Sequence, residues 1–185
     1  GAGPDLVSGW HDDPWLYPDK LLDVTDVAEY LGAKYGGWEE ACIKYGMKDG
    51  RWIAIPMGAP GQQIVYRKSW ADEAGYDKFP ETTDEFIKCC QKLNSMGHPV
   101  GFALGHSVGD GNNFAYTWLW SYGASTVDAD GKPAINSSET RNALDGMKEL
   151  YSAMIPGCAS WQDSHNNKAF LADQISVTNN GISIY

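Results

Sequence analysis

Short apolar segments with strand-like composition alternate along this chain with longer segments that have the spacing of helices. Residues 62–66 and 100–104 are of the first kind. Residues 138–154 are of the second kind, because their apolar side chains recur every three or four positions. Such alternation is typical of domains in which helices cover the faces of a sheet. The sequence therefore predicts an α/β fold.

Local signals set the bounds of the predicted elements. Thr82 and Glu85 form a capping box, and Gly97 stands where the left-handed C-cap of the same helix belongs. In the helix of residues 138–154, Leu144 and Tyr151 are expected to widen the apolar stripe. Strands are predicted at 4–10, 50–56, 62–66, 100–104, 175–178 and 182–185, and helical segments at 27–31, 38–45, 82–97, 114–122, 138–154 and 167–172.

The net charge of the chain limits the kinds of partner that it is expected to bind. Its 185 residues contain 24 acidic and only 14 basic side chains, which give a formal net charge of −10. Such a surface repels phosphate backbones and anionic head groups, so neither nucleic acid nor a membrane surface is an expected partner. No apolar run approaches the roughly 18 residues that cross a bilayer, and we expect no membrane insertion. A neutral or cationic small ligand is compatible with this charge.

The sequence offers no clear catalytic or metal-binding motif. The four histidines are scattered, and none has a second histidine or cysteine at ligand spacing. We therefore expect no catalytic residue, no metal site and no cofactor. Acidic pairs are frequent, however, and a pair of carboxylates would suit a glycosidase, so a carbohydrate-active hydrolase remains an alternative. The four cysteines fit either small buried side chains, which we favour, or one or two disulfides: Cys42, Cys89, Cys90 and Cys158.

The positions of the tryptophans are informative about binding. Trp10 lies in a polar loop with Asp12 and Asp13, and an indole in such a loop is not expected to belong to the hydrophobic core. Trp118 and Trp120 are two positions apart on a predicted helix, and they point about 200° apart, so one of them faces away from the core. A ring beside carboxylates and amides suits a sugar, whose C–H face stacks on the ring. The alternative is that the indoles cover the sheet and the amides cap helices.

Short motifs follow one another along nearly the whole chain. They lie in segments 3–7, 10–12, 50–56, 65–68, 73–76, 80–86, 118–123, 130–132, 138–154, 169–170 and 175–181. Each motif is weak alone, but their order resembles that of the family 1 extracellular solute-binding proteins of ABC importers, of the maltose and α-glucoside type. One of the motifs, Val65-Tyr66-Arg67-Lys68, departs from the family, which usually has Tyr-Asn-Lys there.

The resemblance implies a periplasmic-binding-protein-like fold of type II, with two lobes joined by crossing strands. Residues 1–57 would be part of the first lobe, including one crossing segment, and residues 58–185 most of the second. The family chain is about twice as long, so the fold is expected to be incomplete at both ends. The implied function is to bind a sugar or oligosaccharide between the lobes, in the periplasm or outside the cell, and deliver it to an ABC permease.

The resemblance also implies which residues contact the ligand. Asn180 belongs to Asn179-Asn180-Gly181, which is either a hairpin turn or a loop that presents amides to a cleft. The local sequence favours the hairpin turn. A receptor of the same family for another solute, such as a polyamine, is the alternative function. The implied ligand-binding residues are Trp10, His11, Asp12, Asp13, Gln62, Gln63, Asn113, Phe114, Trp118, Trp161, Asp163 and Asn180.

Overall fold

The computed structural model describes residues 3–58 and 61–184, and the chain divides into two compact units. Unit 1 comprises Gly1–Pro60 and unit 2 comprises Gly61–Tyr185. We describe each unit by itself. The assignment of residues 1–57 and 58–185 to two lobes stays a prediction.

Unit 1 is held together by tryptophans that pack against glycines. The Nε1 atom of Trp38 donates to the carbonyl of Ala28 at 2.9 Å, and the rings of Trp38 and Trp52 lie 5.4 Å apart. A Cβ atom at Gly32 would lie 2.9 Å from the Trp38 ring, so only glycine permits this approach. The elements of unit 1 are α1 (Asp13–Leu16), a 3₁₀ turn (Pro18–Lys20), α2 (Thr25–Tyr35), α3 (Glu40–Gly46), β1 (Met47–Lys48) and β2 (Arg51–Trp52).

The predicted strands of unit 1 are shorter than expected or do not form. Residues 4–10 are exposed and form no strand in the described part of the chain, and the side chain of Leu6 is 91% exposed. The prediction for residues 50–56 is correct only for Arg51–Trp52, which pairs antiparallel with Met47–Lys48. The reason is general: β-branched and apolar composition favours a strand, but a strand also needs a partner for its backbone.

Unit 2 is built on one long-range antiparallel strand pair with helices around it. Strand β3 pairs with β4 in the register Gln63↔Asn180 to Tyr66↔Val177. The predicted hairpin turn at residues 179–181 is therefore wrong, because Asn179 and Asn180 belong to β4 itself. The elements of unit 2 are β3 (Gln63–Tyr66), α4 (Lys68–Glu73), α5 (Thr83–Ser95), α6 (Asp110–Ser121), α7 (Ser138–Tyr151), a 3₁₀ turn (Cys158–Ser160), α8 (His165–Leu171), β4 (Val177–Asn180) and a 3₁₀ turn (Ile182–Ile184).

The core of unit 2 lies where α5, α6 and α7 meet the strand pair. Phe102 and Phe114 stack with their ring centroids 4.1 Å apart, and Leu93 from α5 and Leu150 from α7 are fully buried beside them. The capping box of α5 is confirmed in its main bond, since the hydroxyl of Thr82 accepts from the Glu85 amide at 3.2 Å. The Glu85 carboxylate accepts from the Glu81 amide instead of the expected Thr82 amide.

Three sequence predictions for unit 2 are corrected by this packing. Residues 100–104 form no strand but an isolated bridge between Val100 and Met154, and their further backbone pairing is limited to single bonds such as that from the Gly101 amide to the Val177 carbonyl at 2.9 Å. Leu144 and Tyr151 do not widen the buried stripe of α7, since both are exposed. Residues 182–184 form a 3₁₀ turn instead of a strand, and Tyr185 lies outside the described residues.

The four cysteines are buried and unpaired, as the favoured interpretation predicts. Burial raises the pKa of the Cys89 thiol to about 11 from an ordinary 9.0. Burial also raises the pKa of Cys90 and, to a smaller extent, of Cys158. These side chains act as small apolar groups in the core.

We predict that the thiols react only when the chain unfolds. Near pH 8, a pKa of about 11 leaves about one thousandth of Cys89 as thiolate, against about one tenth at 9.0. Colour release from Ellman's reagent should be slow in native buffer and fast in guanidinium. Stability should also fall between about pH 9 and 11, because the unfolded chain then loses thiol protons that the folded chain retains. Rapid reaction in native buffer would contradict this.

A second prediction concerns the contact of α6 with α7. A Cβ atom at Gly146 would lie 2.0 Å from the Tyr122 hydroxyl, whose ring is held 5.4 Å from Trp118. Overpacking at this site costs about 1–3 kcal/mol, and the roughly 1 kcal/mol that alanine adds to helix stability offsets part of it, so Gly146→Ala should lower the free energy of unfolding by up to about 2 kcal/mol. Urea unfolding followed by circular dichroism measures this. Leu144→Ala, at an exposed site of the same helix, is the control, and adding Tyr122→Phe should recover part of the loss.

Candidate functional site

Asp110, the first residue of α6, is the centre of a cluster of side-chain amides. Its Oδ1 atom accepts from Nε2 of Gln62 at 2.6 Å. Its Oδ2 atom accepts from Nδ2 of Asn166 at 3.0 Å and from Nδ2 of Asn180 at 3.2 Å. One carboxylate thus joins the segment before β3, the start of α8 and the end of β4.

A second set of hydrogen bonds connects the amides to one another. Asn179 donates from Nδ2 to Oε1 of Gln62 at 2.6 Å. Asn180 donates to Oδ1 of Asn167 at 2.5 Å and accepts from the Ser183 hydroxyl at 3.1 Å. We call this cluster the amide network and define it by these residues: Gln62, Asp110, Asn166, Asn167, Asn179, Asn180 and Ser183.

The amide network has a buried floor and a partly open rim. Asn166, Asn179 and Asn180 are at most 3% exposed. Gln62 and Asp110 are half-buried, so their outer atoms reach solvent. The amide nitrogen of Asn166 donates to Asp110 and to the carbonyl of Asn179, whereas its Oδ1 atom is buried without a hydrogen-bond partner among the described residues. Amides and carboxylates arranged in this way can both donate to and accept from a ligand that carries hydroxyl groups.

Asp163 holds the start of α6 in place. Its Oδ1 atom accepts from the backbone amide of Asp110 at 2.9 Å and from the Ser107 hydroxyl at 2.7 Å. Gly109 makes this approach possible, since a Cβ atom there would lie 2.3 Å from the Asp163 carboxylate. Among residues 3–58 and 61–184, no ion pair involves Asp110 or Asp163. The rim is therefore acidic.

Of the predicted ligand-binding residues in unit 2, the structure brings Gln62, Asp163 and Asn180 together. Gln63 lies next to them on β3, where it pairs with Asn180 and is exposed. Asn113 is half-buried on α6, one turn after Asp110.

Phe114 and Trp118 have a different role from the predicted one. Both side chains lie in the core, where Phe114 stacks on Phe102 and Trp118 donates from Nε1 to the carbonyl of Ala143 at 2.7 Å. Their ring faces are covered by protein, so we leave them out of the candidate site. The spacing argument holds, since Trp118 and Trp120 do point apart, and Trp120 is the exposed one.

Trp161 is half-buried and packs over the chain of residues 100–105. A Cβ atom at Gly101 would lie 2.8 Å from its ring, and the carbonyl of Trp161 accepts from the Gly105 amide at 2.9 Å. The ring thus supports the loop that precedes α6, on which Asp110 depends.

In unit 1 the predicted ligand-binding residues Trp10, His11, Asp12 and Asp13 form a loop that runs into α1 and is mostly exposed. The Asp13 carboxylate accepts from the Trp10 amide at 2.7 Å, which fixes the turn into α1. His11 lies edge-on to the Tyr45 ring, with centroids 4.8 Å apart. Trp10 is 48% exposed and Asp12 is exposed. The loop therefore presents an indole beside carboxylates, as predicted from the sequence, within unit 1.

Sequence reasoning missed five members of the amide network, among them Ser183 in the 3₁₀ turn after β4. Asp110 and Asn179 look like ordinary cap and turn residues, and Asn166 and Asn167 look like the polar start of a short helix. The available signal was the repetition of Asn-Asn pairs at 166–167 and 179–180. Such polar pairs beside apolar segments indicate a buried hydrogen-bond network, because buried amides require partners.

The sequence profile of the bacterial extracellular solute-binding proteins matches residues 1–183. The chain belongs to this family. Among curated proteins it is similar to a binding protein of Brucella abortus (strain 2308), with 27% identity over 140 residues, which cover 71% of this chain and 33% of that protein. It is also similar to a Deinococcus radiodurans protein named "Probable ABC transporter-binding protein", with 23% identity over 154 residues, 80% of this chain and 36% of that protein.

Solved structures share the fold of this family member. Maltose-bound MalE3 of T. maritima superposes with a TM-score of 0.83 at 22% identity, over 94% of this chain and 45% of that chain. A solute-binding protein of Agrobacterium radiobacter K84 in complex with ribitol gives a TM-score of 0.75 at 23% identity, over 92% and 44%. The fold is thus of the periplasmic-binding-protein type that the sequence predicts, and the chain spans less than half the length of these structures and about a third of the curated relatives.

Within the described residues, no helix combines the length and apolar composition needed to cross a bilayer.

The role of Asp110 leads to a prediction about stability. Asp110→Asn replaces one acceptor oxygen by an amide NH₂ group, which faces one N–H donor at the Oδ1 position or two at the Oδ2 position, so at least one donor is left without a partner. The free energy of unfolding should fall by about 1–3 kcal/mol, as judged by urea denaturation. The matched control is Asp145→Asn, an exposed carboxylate on α7, which should change stability by at most about 0.5 kcal/mol. Equal effects of the two substitutions would contradict a central role for Asp110.

Proposed function

We propose that this solute-binding protein is the substrate-binding component of an ABC importer and that it binds a sugar or oligosaccharide of α-glucoside type. The observation that carries the proposal is the amide network, with Gln62 and Asp110 open to solvent above a floor of buried asparagines. Each sugar hydroxyl both donates and accepts a hydrogen bond, and paired amides and carboxylates supply both functions at fixed positions.

The binding loop of unit 1 supports the same class of ligand. Trp10 and Trp15 expose nearly half of their surface, beside the carboxylates of Asp12 and Asp13. An exposed indole face offers stacking to the C–H face of a sugar ring, and the neighbouring carboxylates accept from its hydroxyls. The ligands named for the structural neighbours, among them maltose, laminaribiose and ribitol, are neutral polyhydroxyl compounds.

Binding alone is the proposed activity. The protein would hold its ligand outside the cytoplasm, in the periplasm or at the cell surface, and deliver it to a permease in the membrane. The acidic rim formed by Asp110 and Asp163 favours neutral ligands over phosphorylated or carboxylated ones, because the protein would have to bring like charges together.

The acidic rim also makes a polyamine the second candidate ligand. Two carboxylates without an ion-pair partner among the described residues would attract an ammonium group. A sugar is the better fit to the amides, which outnumber the carboxylates in the network.

The test is a thermal-shift panel with maltose, laminaribiose, ribitol, spermidine and glycerol 3-phosphate. A ligand that binds only the folded chain raises its melting temperature, so a rise with one of the neutral compounds is expected. Gln62→Ala and Asp12→Ala should each weaken binding by roughly threefold to tenfold, the worth of one hydrogen bond. Asp145→Ala is the control, since its side chain is exposed on α7.

Three results would contradict the proposal. They are a rise with spermidine alone, no rise with any neutral compound, and the appearance of shorter saccharides when the protein is incubated with maltotetraose. The last result would favour the hydrolase alternative.

A further inference from the structure

Asn180 and Gly181 form the only Asn-Gly pair in the sequence, and this pair lies at the end of β4. An asparagine that precedes glycine is especially prone to spontaneous deamidation, because glycine has no Cβ atom that hinders attack by its backbone nitrogen. Asn180 is also a member of the amide network. The chemical stability of this pair therefore bears directly on the candidate site.

Neither packing nor backbone conformation requires a glycine at position 181. Apart from its chain neighbours, the heavy atom nearest to a Cβ atom there is the Gly61 carbonyl oxygen at 4.0 Å. Gly181 is not among the glycines with a positive φ, so alanine fits this position without strain. Gly181→Ala is therefore a matched control, because it hinders attack by the backbone nitrogen and leaves the fold intact.

The amide network restrains the side chain of Asn180 through three hydrogen bonds. Its Nδ2 atom donates to Asp110 at 3.2 Å and to Asn167 at 2.5 Å, and its Oδ1 atom accepts from Ser183 at 3.1 Å. The residue is 2% exposed and belongs to the paired strand β4. Deamidation brings Cγ to bonding distance of the Gly181 nitrogen and expels the amide nitrogen that two of these bonds hold. The bonds must therefore open first.

We propose that Asn180 is a deamidation site that the amide network keeps intact, so that modification follows opening of the network. In the open state the backbone nitrogen of Gly181 attacks Cγ of Asn180 and forms a succinimide. The side-chain amide nitrogen takes up the proton of the Gly181 N–H group and leaves as ammonia. Water then opens the succinimide at its side-chain carbonyl, which gives aspartate, or at its backbone carbonyl, which gives isoaspartate. Water is the only co-reactant, and nothing is oxidised or reduced.

Either product disrupts the amide network. A carboxylate at position 180 has no N–H group to donate, and it faces the Asp110 carboxylate, whose Oδ2 atom lies 3.2 Å from the amide nitrogen that was lost. Two like charges at this distance repel each other. Isoaspartate also adds a methylene group to the backbone at the residue that pairs with Gln63. Deamidation thus inactivates the site permanently, and the stability of the network sets the lifetime of the site.

The test compares the rate of deamidation at Asn180 in the folded chain with that in a synthetic peptide of residues 176–184. Both are incubated in the same mildly alkaline buffer, and peptide mass spectrometry follows the exchange of NH₂ for OH. The folded chain should react at least about tenfold more slowly, the factor that corresponds to opening one net hydrogen bond. In guanidinium the chain should react as fast as the peptide. Equal rates for chain and peptide in native buffer would overturn the proposal.

Variants separate the role of the network from that of the glycine. Asn167→Ala removes one acceptor of the Asn180 amide, so the native rate should rise roughly threefold to tenfold while the rate in guanidinium stays the same. Asn94→Ala, on α5, is the control and should change neither rate.

Gly181→Ala should slow the reaction in native buffer and in guanidinium alike. An unchanged native rate with Asn167→Ala would show that the network does not protect Asn180, and an unchanged rate with Gly181→Ala would exclude the succinimide route. The experiment needs no ligand, so its result is independent of the proposed function.

Discussion

The pairing of β3 with β4 is the contact on which the candidate site depends. It joins residues that are more than 100 positions apart and sets Gln62 beside Asn179, whose side chains are 2.6 Å apart. Closing so long a loop costs entropy, which burial of apolar groups such as Val177 and Phe102 must offset. The core therefore stabilises a strand pair that then positions polar side chains at its end.

Burial explains why these polar side chains form a network. Every residue of β4 is buried, although Thr178, Asn179 and Asn180 are polar. A buried amide without partners would cost about 1–3 kcal/mol, so the asparagines bond to Asp110, Gln62 and one another. The same requirement makes the geometry specific, because each amide has few alternative partners at this depth. The Oδ1 atom of Asn166 has no hydrogen-bond partner among the described residues, so the network is incomplete at that atom.

Much of the helical structure could be predicted from the sequence, because its signals are local. Thr82 and Glu85 lie on one turn, and the apolar spacing of residues 138–154 is visible without any partner. The strand prediction at 4–10 failed, and that at 100–104 gave only one bridge, because a strand is defined by its neighbour. The Trp118–Trp120 spacing predicts that one ring is exposed, but only the packing of α6 against α7 decides which. Asp110 was not recognisable, since its partners are 48 to 70 residues away.

Helix α6 links the core to the candidate site, because one part of this rigid element packs in the core and its first residue belongs to the amide network. Its middle is fixed by Trp118, which is bonded to α7 and packed beside Phe114. Its first residue supplies the carboxylate of the amide network. Because a helix is a stiff element, the packing of Trp118 against α7 contributes to the position of Asp110 together with Asp163, which holds the start of the helix. Trp118 can therefore influence ligand binding without any contact to a ligand, through the place at which it holds the helix.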